Sequence, residues 1–131
     1  WKDIKKGFTH FAENDVAVAK ITPCFENRKS VIMRNLVNGI GAGTTELHII
    51  RSINRLVIPE YILSICKTDR FIKDGVSTYT GTAGQQRISK DFIMNYLIPL
   101  PPIAEQKRIV EKVDTIMNIL DELESQLITK N

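Results

Sequence analysis

The stretch "PPIAEQKRIVEKVDTIMNILDELESQLITK", residues 101–130, decides the architecture of the chain. Proline can begin a helix but cannot lie inside one, and after the two prolines no residue breaks a long run of Glu, Gln, Lys, Ile and Leu. The run predicts one helix of roughly 40 Å, at 1.5 Å per residue. The chain therefore divides into a body, residues 1–100, and a helical segment, residues 101–131.

One side of the predicted helix carries apolar residues at alternating spacings of four and three, the a/d pattern of a left-handed coiled coil. These interface positions are Ile109, Val113, Ile116, Leu120, Leu123 and Leu127. The alternative is a helix packed on its own domain. Val110, Met117 and Ile119 widen the early part of the stripe, which favours packing on the body there, whereas the narrower second half favours a partner helix.

Short segments rich in Val, Ile and Thr predict strands in the body. These are "DVAVAKI" (15–21), "TTELHII" (44–50) and "SVIM" (30–33), of which the last is expected to pair with one of the others. Turn-forming residues dominate "TPCFENRK" (22–29) and "NGIGAG" (38–43), so both segments are predicted to be irregular loops.

From Pro59 the apolar residues recur at helical spacing, which predicts one or two short helices ending at Gly75 as a C-terminal cap. "DFIMNYLIPL" (91–100) is apolar, short and stopped by prolines, so it is interpreted as a buried strand. The predicted fold class is α+β, with a β-rich body containing short helices, followed by a long C-terminal coiled-coil α-helix.

Composition agrees with one globular domain carrying an appended element, because 43% of the 131 residues are hydrophobic and 25% are charged. No long apolar run or signal-peptide pattern is present, so the expectation is a soluble, cytoplasmic protein without a membrane partner. Cys24 and Cys66 are expected to be reduced thiols. Residues 1–100 carry fourteen basic and nine acidic side chains. That excess suits either a body that meets a polyanion or an ordinary solvated surface.

No constellation in the sequence predicts catalysis, a metal or a cofactor. His10 and His48 have no partner at metal-ligand spacing. "GIGAG" runs into a predicted strand rather than a helix, and "GTAGQQR" lacks the Gly-Lys-Ser/Thr ending of a phosphate-binding loop. The acidic runs "END" (13–15) and "DELE" (121–124) are interpreted as a turn before a strand and as the solvated face of a helix.

The segment "YTGTAGQQRISKDF" (79–92) supplies groups suited to DNA. Gln bonds in pairs to adenine, Arg bonds in pairs to guanine, and Gly lets a backbone approach phosphate. The candidate DNA-binding residues are Thr80, Thr82, Gln85, Gln86 and Arg87 in this loop, together with Lys20, Arg28, Lys29, Arg34 and Lys90 as phosphate contacts. The alternative is a glycine-rich hairpin whose polar side chains face water.

Four ordered segments, "VAKITPCFENRK", "NGIGAGTTELHII", "TGTAGQQRISKDF" and "IPLPPIAEQKRIVEKVD" followed by "DELE", resemble the DNA specificity subunit of type I restriction-modification enzymes. The likeness runs from about Lys5 to Glu124. It implies a target recognition domain that reads half of a bipartite sequence in double-stranded DNA, and a long spacer helix that leads out of it. It also implies a subunit without catalytic activity, which directs separate methyltransferase and restriction subunits.

The resemblance further implies that this chain is half of a subunit, because the family has two recognition domains and two antiparallel helices. The start at Trp1 suggests that the recognition domain is truncated at its N-terminus. The helix partner is then the second helix of a full subunit or of another copy of the chain.

The resemblance also bears on which residues read bases. Arg28 stands where similar sequences tend to have glycine. Since members with different targets share something like "GTAGQQR", that loop is expected to hold the shape of the domain or touch the DNA backbone. Base reading is then expected around residues 22–38 and 67–78. The rival interpretation is a coiled-coil protein-interaction module that does not bind DNA.

Overall fold

The computed structural model describes residues 6–130 as a mixed α+β body with a long helix at its C-terminal end. The strands are β1 (Thr9–Ala12), β2 (Val16–Ala19), β3 (Ser30–Ile32), β4 (Ile40–Gly43) and β5 (Leu47–Ile50). A 3-10 turn covers Val37–Gly39. The helices are α1 (Pro59–Cys66), α2 (Asp69–Val76), α3 (Lys90–Asn95) and α4 (Ile103–Thr129).

The strands form two small antiparallel sheets. β2 is the centre of a three-stranded sheet, where it pairs with β3 on one side and β5 on the other. The three strands predicted from Val, Ile and Thr content are therefore confirmed, and the segment around "SVIM" pairs with β2 as expected. Residues 22–28 form consecutive turns, which also agrees with the predicted loop.

The second sheet corrects the sequence-based prediction. "NGIGAG" was expected to be irregular, yet β4 pairs with β1 from Ala12 opposite Ile40 to Thr9 opposite Gly43. The glycines permit the pairing because the ring of Phe11 lies across them: a Cβ at Gly41 would come within 2.4 Å of Phe11 Cε2. Glycine serves here to admit an aromatic ring and not to make a turn.

The core lies between the central sheet and the first two helices. Val16 and Val18 pack with Ile62 and Cys66 of α1 and with the rings of Phe25 and Phe71. Within the described residues both cysteines are free thiols, as predicted. Burial raises the pKa of the Cys66 thiol to about 12, so this thiol is an inert part of the core.

Two short helices follow Pro59 as predicted, but Gly75 is not a C-terminal cap. It lies inside α2, whose C-cap is Ser77. Gly75 is needed for close packing, since a Cβ there would be 2.3 Å from Phe25 Cζ. The left-handed conformation that favours glycine at a helix end is absent at this position.

The prediction of a buried strand over residues 91–100 is wrong. The first half is the helix α3, which begins after Ser89, whose hydroxyl accepts a hydrogen bond from the Phe92 amide at 3.1 Å. Phe92, Ile93 and Tyr96 pack against the core at helical spacing. The second half is an extended linker in which Leu97 is 92% exposed, so the apolar run reflects two different structures.

The long helix is confirmed, with α4 spanning 27 residues. Its first two turns contact the body: Gln106 is fully buried and Ile109 and Val110 are half-buried, whereas residues 111–130 are all exposed. The predicted packing of the early helix on its own domain is therefore observed, through α1.

Candidate nucleic-acid interface

Basic residues gather at one end of the three-stranded sheet, where β2 ends and where β3 and β5 begin. We call this surface the basic edge and define it as Lys20, Arg28, Lys29, Lys67, Arg87 and Lys90. Backbone hydrogen bonds assemble it. The Ala19 amide donates to the Lys29 carbonyl at 2.9 Å, and the Ile88 amide donates to the Lys20 carbonyl at 3.0 Å. Segments far apart in sequence are thereby brought to one surface.

Three lysines of the basic edge form no salt bridge within the described part of the chain, although the charge of Lys20 acts on the nearby Glu46. Within residues 6–130, Lys20, Lys29 and Lys90 form no salt bridge with a carboxylate. Lys29 and Lys90 are exposed and Lys20 is half-buried. Uncompensated ammonium groups on one surface attract anions, and phosphate is the anion that a lysine meets on nucleic acid.

The loop that follows Tyr79 is a closed hairpin docked on this edge. Thr80 and Arg87 exchange backbone hydrogen bonds of 3.1 and 3.0 Å, and the Thr22 amide donates to the Gln86 carbonyl at 2.9 Å. Gly81 and Gly84 have φ values of 112° and 81°. These left-handed values suit glycine, so both positions serve the shape of the hairpin.

The side chain of Arg87 is committed within the protein. Its Nε and Nη2 each donate to Glu46 at 2.8 Å, and Nη1 donates to the Gln85 carbonyl at 2.8 Å. The Arg87 guanidinium holds the pKa of Glu46 below its usual value, which is the behaviour of a tight bidentate pair. The partner of Arg87 lies 41 positions away in the sequence.

The remaining predicted residues of the hairpin differ in their exposure to solvent. Thr80, Thr82 and Gln85 are exposed, and Gln86 is half-buried. Ile88, at the foot of the hairpin, is 1% exposed and belongs to the core. The hairpin therefore presents polar side chains on a base that is anchored to the body.

The turn at residues 22–28 is joined to the α1–α2 junction by reciprocal contacts. Arg28 Nε donates to the Lys67 carbonyl at 3.0 Å, and Arg28 also pairs with the Asp69 carboxylate. In return, Lys67 Nζ donates to the Arg28 carbonyl at 2.7 Å and to the Ser30 carbonyl at 2.8 Å. The two regions expected to read bases, around residues 22–38 and 67–78, therefore meet on one surface through residues 28–30 of the first and residues 67–69 of the second.

Arg28 has a φ of 56°. The backbone at this position is left-handed, a conformation that glycine adopts without strain and arginine does not. The turn keeps its conformation with arginine present.

Arg34 is separated from the other candidates. It lies near the opposite end of the sheet, where Nη1 donates to Asn14 Oδ1 at 2.7 Å and Nη2 pairs with Glu60. Both terminal nitrogens are satisfied within the body. The structure thus brings nine of the ten predicted residues to the basic edge and its hairpin, and sets Arg34 apart.

Two residues of the surface were not predicted. Lys67 is one, and burial together with the nearby Lys29 and Arg28 lowers its pKa. His48 is the other: its Nε2 lies 3.1 Å from the Ile88 carbonyl oxygen. Burial lowers the pKa of His48, and the charges of Lys20 and Lys90 lower it further. The hydrogen bond with the Ile88 carbonyl acts in the opposite direction and raises it. The sequence did not single out either residue, because their contacts are with segments 37 to 40 positions away, although Lys67 lies within the region 67–78 where base reading is expected.

The exposed part of α4 presents a second surface. Ile109 is half-buried, and Val113, Ile116, Leu120, Leu123 and Leu127 are between 39% and 67% exposed. Leu120 and Leu123 are each 51% exposed. Such a row of apolar side chains has no intramolecular cover over residues 111–130.

Residues 6–130 hold no group of three or more His, Cys, Asp or Glu side chains placed to bind a metal ion. No helix in that range has both the length and the apolar character needed to cross a lipid bilayer.

These features define a class of protein that has a small α+β body with a lysine-rich edge, followed by a long helix that is mostly exposed. The sequence profile of a family described as "Type I restriction modification DNA specificity domain" matches residues 5–130. The chain belongs to this family, as its sequence resemblance implied. It is 50% identical over 129 residues to the specificity subunit of the type I restriction enzyme EcoAI, and 49% identical to that of EcoEI, both from Escherichia coli. Those matches cover 98% of this chain and 22% of each relative.

Solved structures share the fold. The HsdS subunit from Thermoanaerobacter tengcongensis superimposes with a TM-score of 0.72 over 88% of this chain and 29% of that one, at 25% identity. A chain from a structure entitled "Structural basis underlying complex assembly and conformational transition of the type I R-M system" gives a TM-score of 0.77, over 92% and 30%, at 24% identity. The chain spans less than a third of the length of the proteins that it matches.

Proposed function

We propose that the body of this chain is a target recognition domain that binds double-stranded DNA through the basic edge. The observation that carries the proposal is the convergence of Lys20, Lys29 and Lys90 on one surface of a specificity-domain fold, where none of them forms a salt bridge within residues 6–130. In this proposal the lysines contact phosphates and position the body on the duplex, and the adjoining turn at residues 22–28 faces the bases.

The chain would act as the recognition part of a larger cytoplasmic assembly. Membership of the family supports a subunit that directs methyltransferase and restriction subunits to a bipartite site, with no catalytic role of its own. Under this proposal residues 1–100 are the recognition domain and residues 101–131 are the spacer helix.

Salt dependence tests the DNA proposal. Each phosphate contact lowers the logarithm of the binding constant by about 0.9 per tenfold rise in salt. Replacing Lys20, Lys29 and Lys90 together with alanine should therefore reduce the slope by about 2 to 3 in fluorescence anisotropy titrations. The matched control replaces Lys107 and Lys112 of α4 together with Lys130 at its C-cap, which removes the same charge away from the basic edge.

If the salt slope falls equally in the two triple variants, net charge and not the basic edge governs binding. A wild-type chain that binds no duplex at any salt concentration would instead favour a coiled-coil interaction module without DNA binding.

The exposed stripe of α4 supports the second part of the proposal, an antiparallel partner helix. In an intact subunit the partner would be a second helix of the same subunit; for this chain alone it would be another copy. Burying a leucine side chain yields about 1.5 to 3 kcal/mol. Leu120→Asp with Leu123→Asp should therefore abolish association in sedimentation experiments.

Asn118→Asp with Ser125→Asp is the control for that experiment, since it adds the same charge to exposed polar positions of the same helix. The control should remain associated. A wild-type chain that sediments as a monomer at high concentration would contradict the homodimer and leave the DNA proposal intact.

A further inference from the structure

The guanidinium group of Arg28 has one occupied edge and one open edge. Nε and Nη2 lie along the same edge, and they are held by the Lys67 carbonyl and the Asp69 carboxylate. Within residues 6–130 no acceptor is bonded to Nη1. The edge formed by Nη1 and Nη2 therefore retains a pair of parallel donors, and 43% of the side chain is exposed.

Other paired arginines differ in how many donors remain or in where they lie. Arg87 uses all three nitrogens on Glu46 and Gln85. Arg34 has both terminal nitrogens bonded. Arg51 keeps Nη1 open, but it lies beside Asp15 at the other end of the central sheet. Arg28 alone among these four combines an open edge with a place on the basic edge.

The backbone that carries Arg28 is fixed from both sides. Its amide donates to the Phe25 carbonyl at 3.0 Å, and its carbonyl accepts from Lys67 Nζ at 2.7 Å. Phe25 itself is 1% exposed and anchors the turn in the core. With the backbone and one edge of the guanidinium already held, little side-chain freedom remains to be lost when a ligand binds.

A pair of fixed donors fits a phosphate or a base edge, but the charge of this guanidinium is already paired with Asp69, which favours a neutral base. Phosphate contacts need positive charge and tolerate flexible lysines, which the basic edge already supplies. A base edge requires two donors in a fixed direction. The left-handed backbone at Arg28 is also a strained conformation of the kind that is retained at functional sites.

We propose that Arg28 is a specificity-determining residue that reads guanine in the major groove, with Nη1 and Nη2 donating to O6 and N7. Asp69 and the Lys67 carbonyl act as positioning groups, and Lys29 contacts a neighbouring phosphate. This inference rests on the proposed function. It differs from the role first expected for Arg28, which was a phosphate contact.

Selection from a randomised duplex pool tests the inference with the full chain. The wild type should enrich a motif that contains a guanine. Arg28→Gly keeps the left-handed backbone without strain, and Arg28→Lys keeps the charge but loses the paired donors. Both variants should lose preference at that one position by about tenfold or more, the discrimination typical of a bidentate arginine–guanine contact.

Lys29→Ala is the matched control, because it removes a neighbouring charge from the same turn. It should weaken binding to all sequences about equally and leave the motif unchanged. Replacing the selected guanine by 7-deazaguanine, which lacks the N7 acceptor, should weaken the wild type and have little further effect on Arg28→Lys. Asp69→Ala should keep the motif while reducing discrimination at the same guanine.

Three results separate the possible failures. A motif retained by Arg28→Gly and Arg28→Lys, with affinity lowered uniformly, would overturn base reading and assign Arg28 to phosphate or to the turn itself. Binding by the wild type without enrichment of a guanine would also overturn it, while leaving the DNA proposal standing. Absence of any duplex binding by the wild type would reject the proposed function and this inference with it.

Discussion

Gln106 is the residue whose replacement should most clearly uncouple α4 from the body. Its side chain is fully buried and uses its amide on three backbone groups. Oε1 accepts from the Ile58 amide at 3.0 Å, and Nε2 donates to the Leu56 and Pro101 carbonyls, each at 2.8 Å. The amide thereby joins the segment before α1 to the segment before α4.

Gln106→Leu removes these bonds while keeping a side chain of similar size. One amide and two carbonyls are left without their partner, and a buried polar group in that state costs about 1 to 3 kcal/mol. Taking the lower bound for each group, the free energy of unfolding should fall by about 3 kcal/mol. Urea denaturation followed by circular dichroism measures the change.

Gln106→Glu is a second test, because it replaces the hydrogen-bond donor Nε2 with an oxygen that accepts. At neutral pH a buried carboxylate would face two carbonyl oxygens, so its pKa in the folded state should be raised. The variant should then be less stable than Gln106→Leu at pH 7 and should recover on acidification, when the protonated acid donates to one carbonyl.

The control is Gln126→Leu at an exposed position of the same helix, which should change stability by less than about 0.5 kcal/mol. A Gln106→Leu variant as stable as this control would contradict the prediction, because it would mean that solvent or rearrangement satisfies the three backbone groups.

Three further predictions concern the body. Gly75→Ala should lower the free energy of unfolding by about 1 to 2 kcal/mol in thermal or urea denaturation, because a Cβ only 2.3 Å from the buried ring of Phe25 outweighs the helix propensity that alanine adds; a stabilised variant would contradict this. His48 has a lowered pKa when folded, so the unfolded chain binds the extra proton and the wild type should lose stability as pH falls below about 6.5. His48→Gln should remove that part of the pH slope, and an unchanged slope would assign it elsewhere. Asp15, 1% exposed, has its pKa lowered by the hydrogen bonds from Arg51, so its contribution is present above about pH 4 and is lost on acidification. Asp15→Asn should therefore cost about 2 kcal/mol at pH 7 and less at pH 3, whereas a constant difference would be inconsistent with the lowered pKa.

The long helix could be predicted because its signal is local and repeated. After Pro102 the apolar spacing continues without a breaker, and the helix begins at Ile103. The central sheet was accessible for a similar reason, since runs of Val and Ile indicate strands. What the sequence could not reveal was which glycines admit a neighbouring side chain. At Gly41 and Gly75 the decisive contacts are with Phe11 and Phe25, distant in sequence.

The strand predicted at residues 91–100 failed because a short apolar run does not distinguish a strand from a buried helix. Ser89, an N-cap residue placed three positions before Phe92, was an available signal for the helix that forms there. The prolines were correctly interpreted as an end to regular structure, but they end a linker and not a strand.

The candidate site was predictable in its residue types and not in its pairing. Nine of ten proposed positions meet at the basic edge and its hairpin, because they flank the same strand ends. The acidic partners that determine which donors of these arginines remain available lie far away in sequence. Glu46 pairs with the guanidinium of Arg87, and Asp69 orients that of Arg28. Long-range ion pairs of this kind become visible only in three dimensions.

The docking of α4 through its first two turns alone makes the helix a lever. Residues 111–130 are exposed and extend the helix by about 30 Å beyond these two turns, at 1.5 Å per residue. A change of about 10° in the angle set at the Gln106 junction would move the far end by about 5 Å, more than the roughly 3.4 Å that separates neighbouring base pairs. Variation in the helix angle at the buried Gln106 amide therefore limits how precisely the distance between the far end of α4 and the basic edge is fixed.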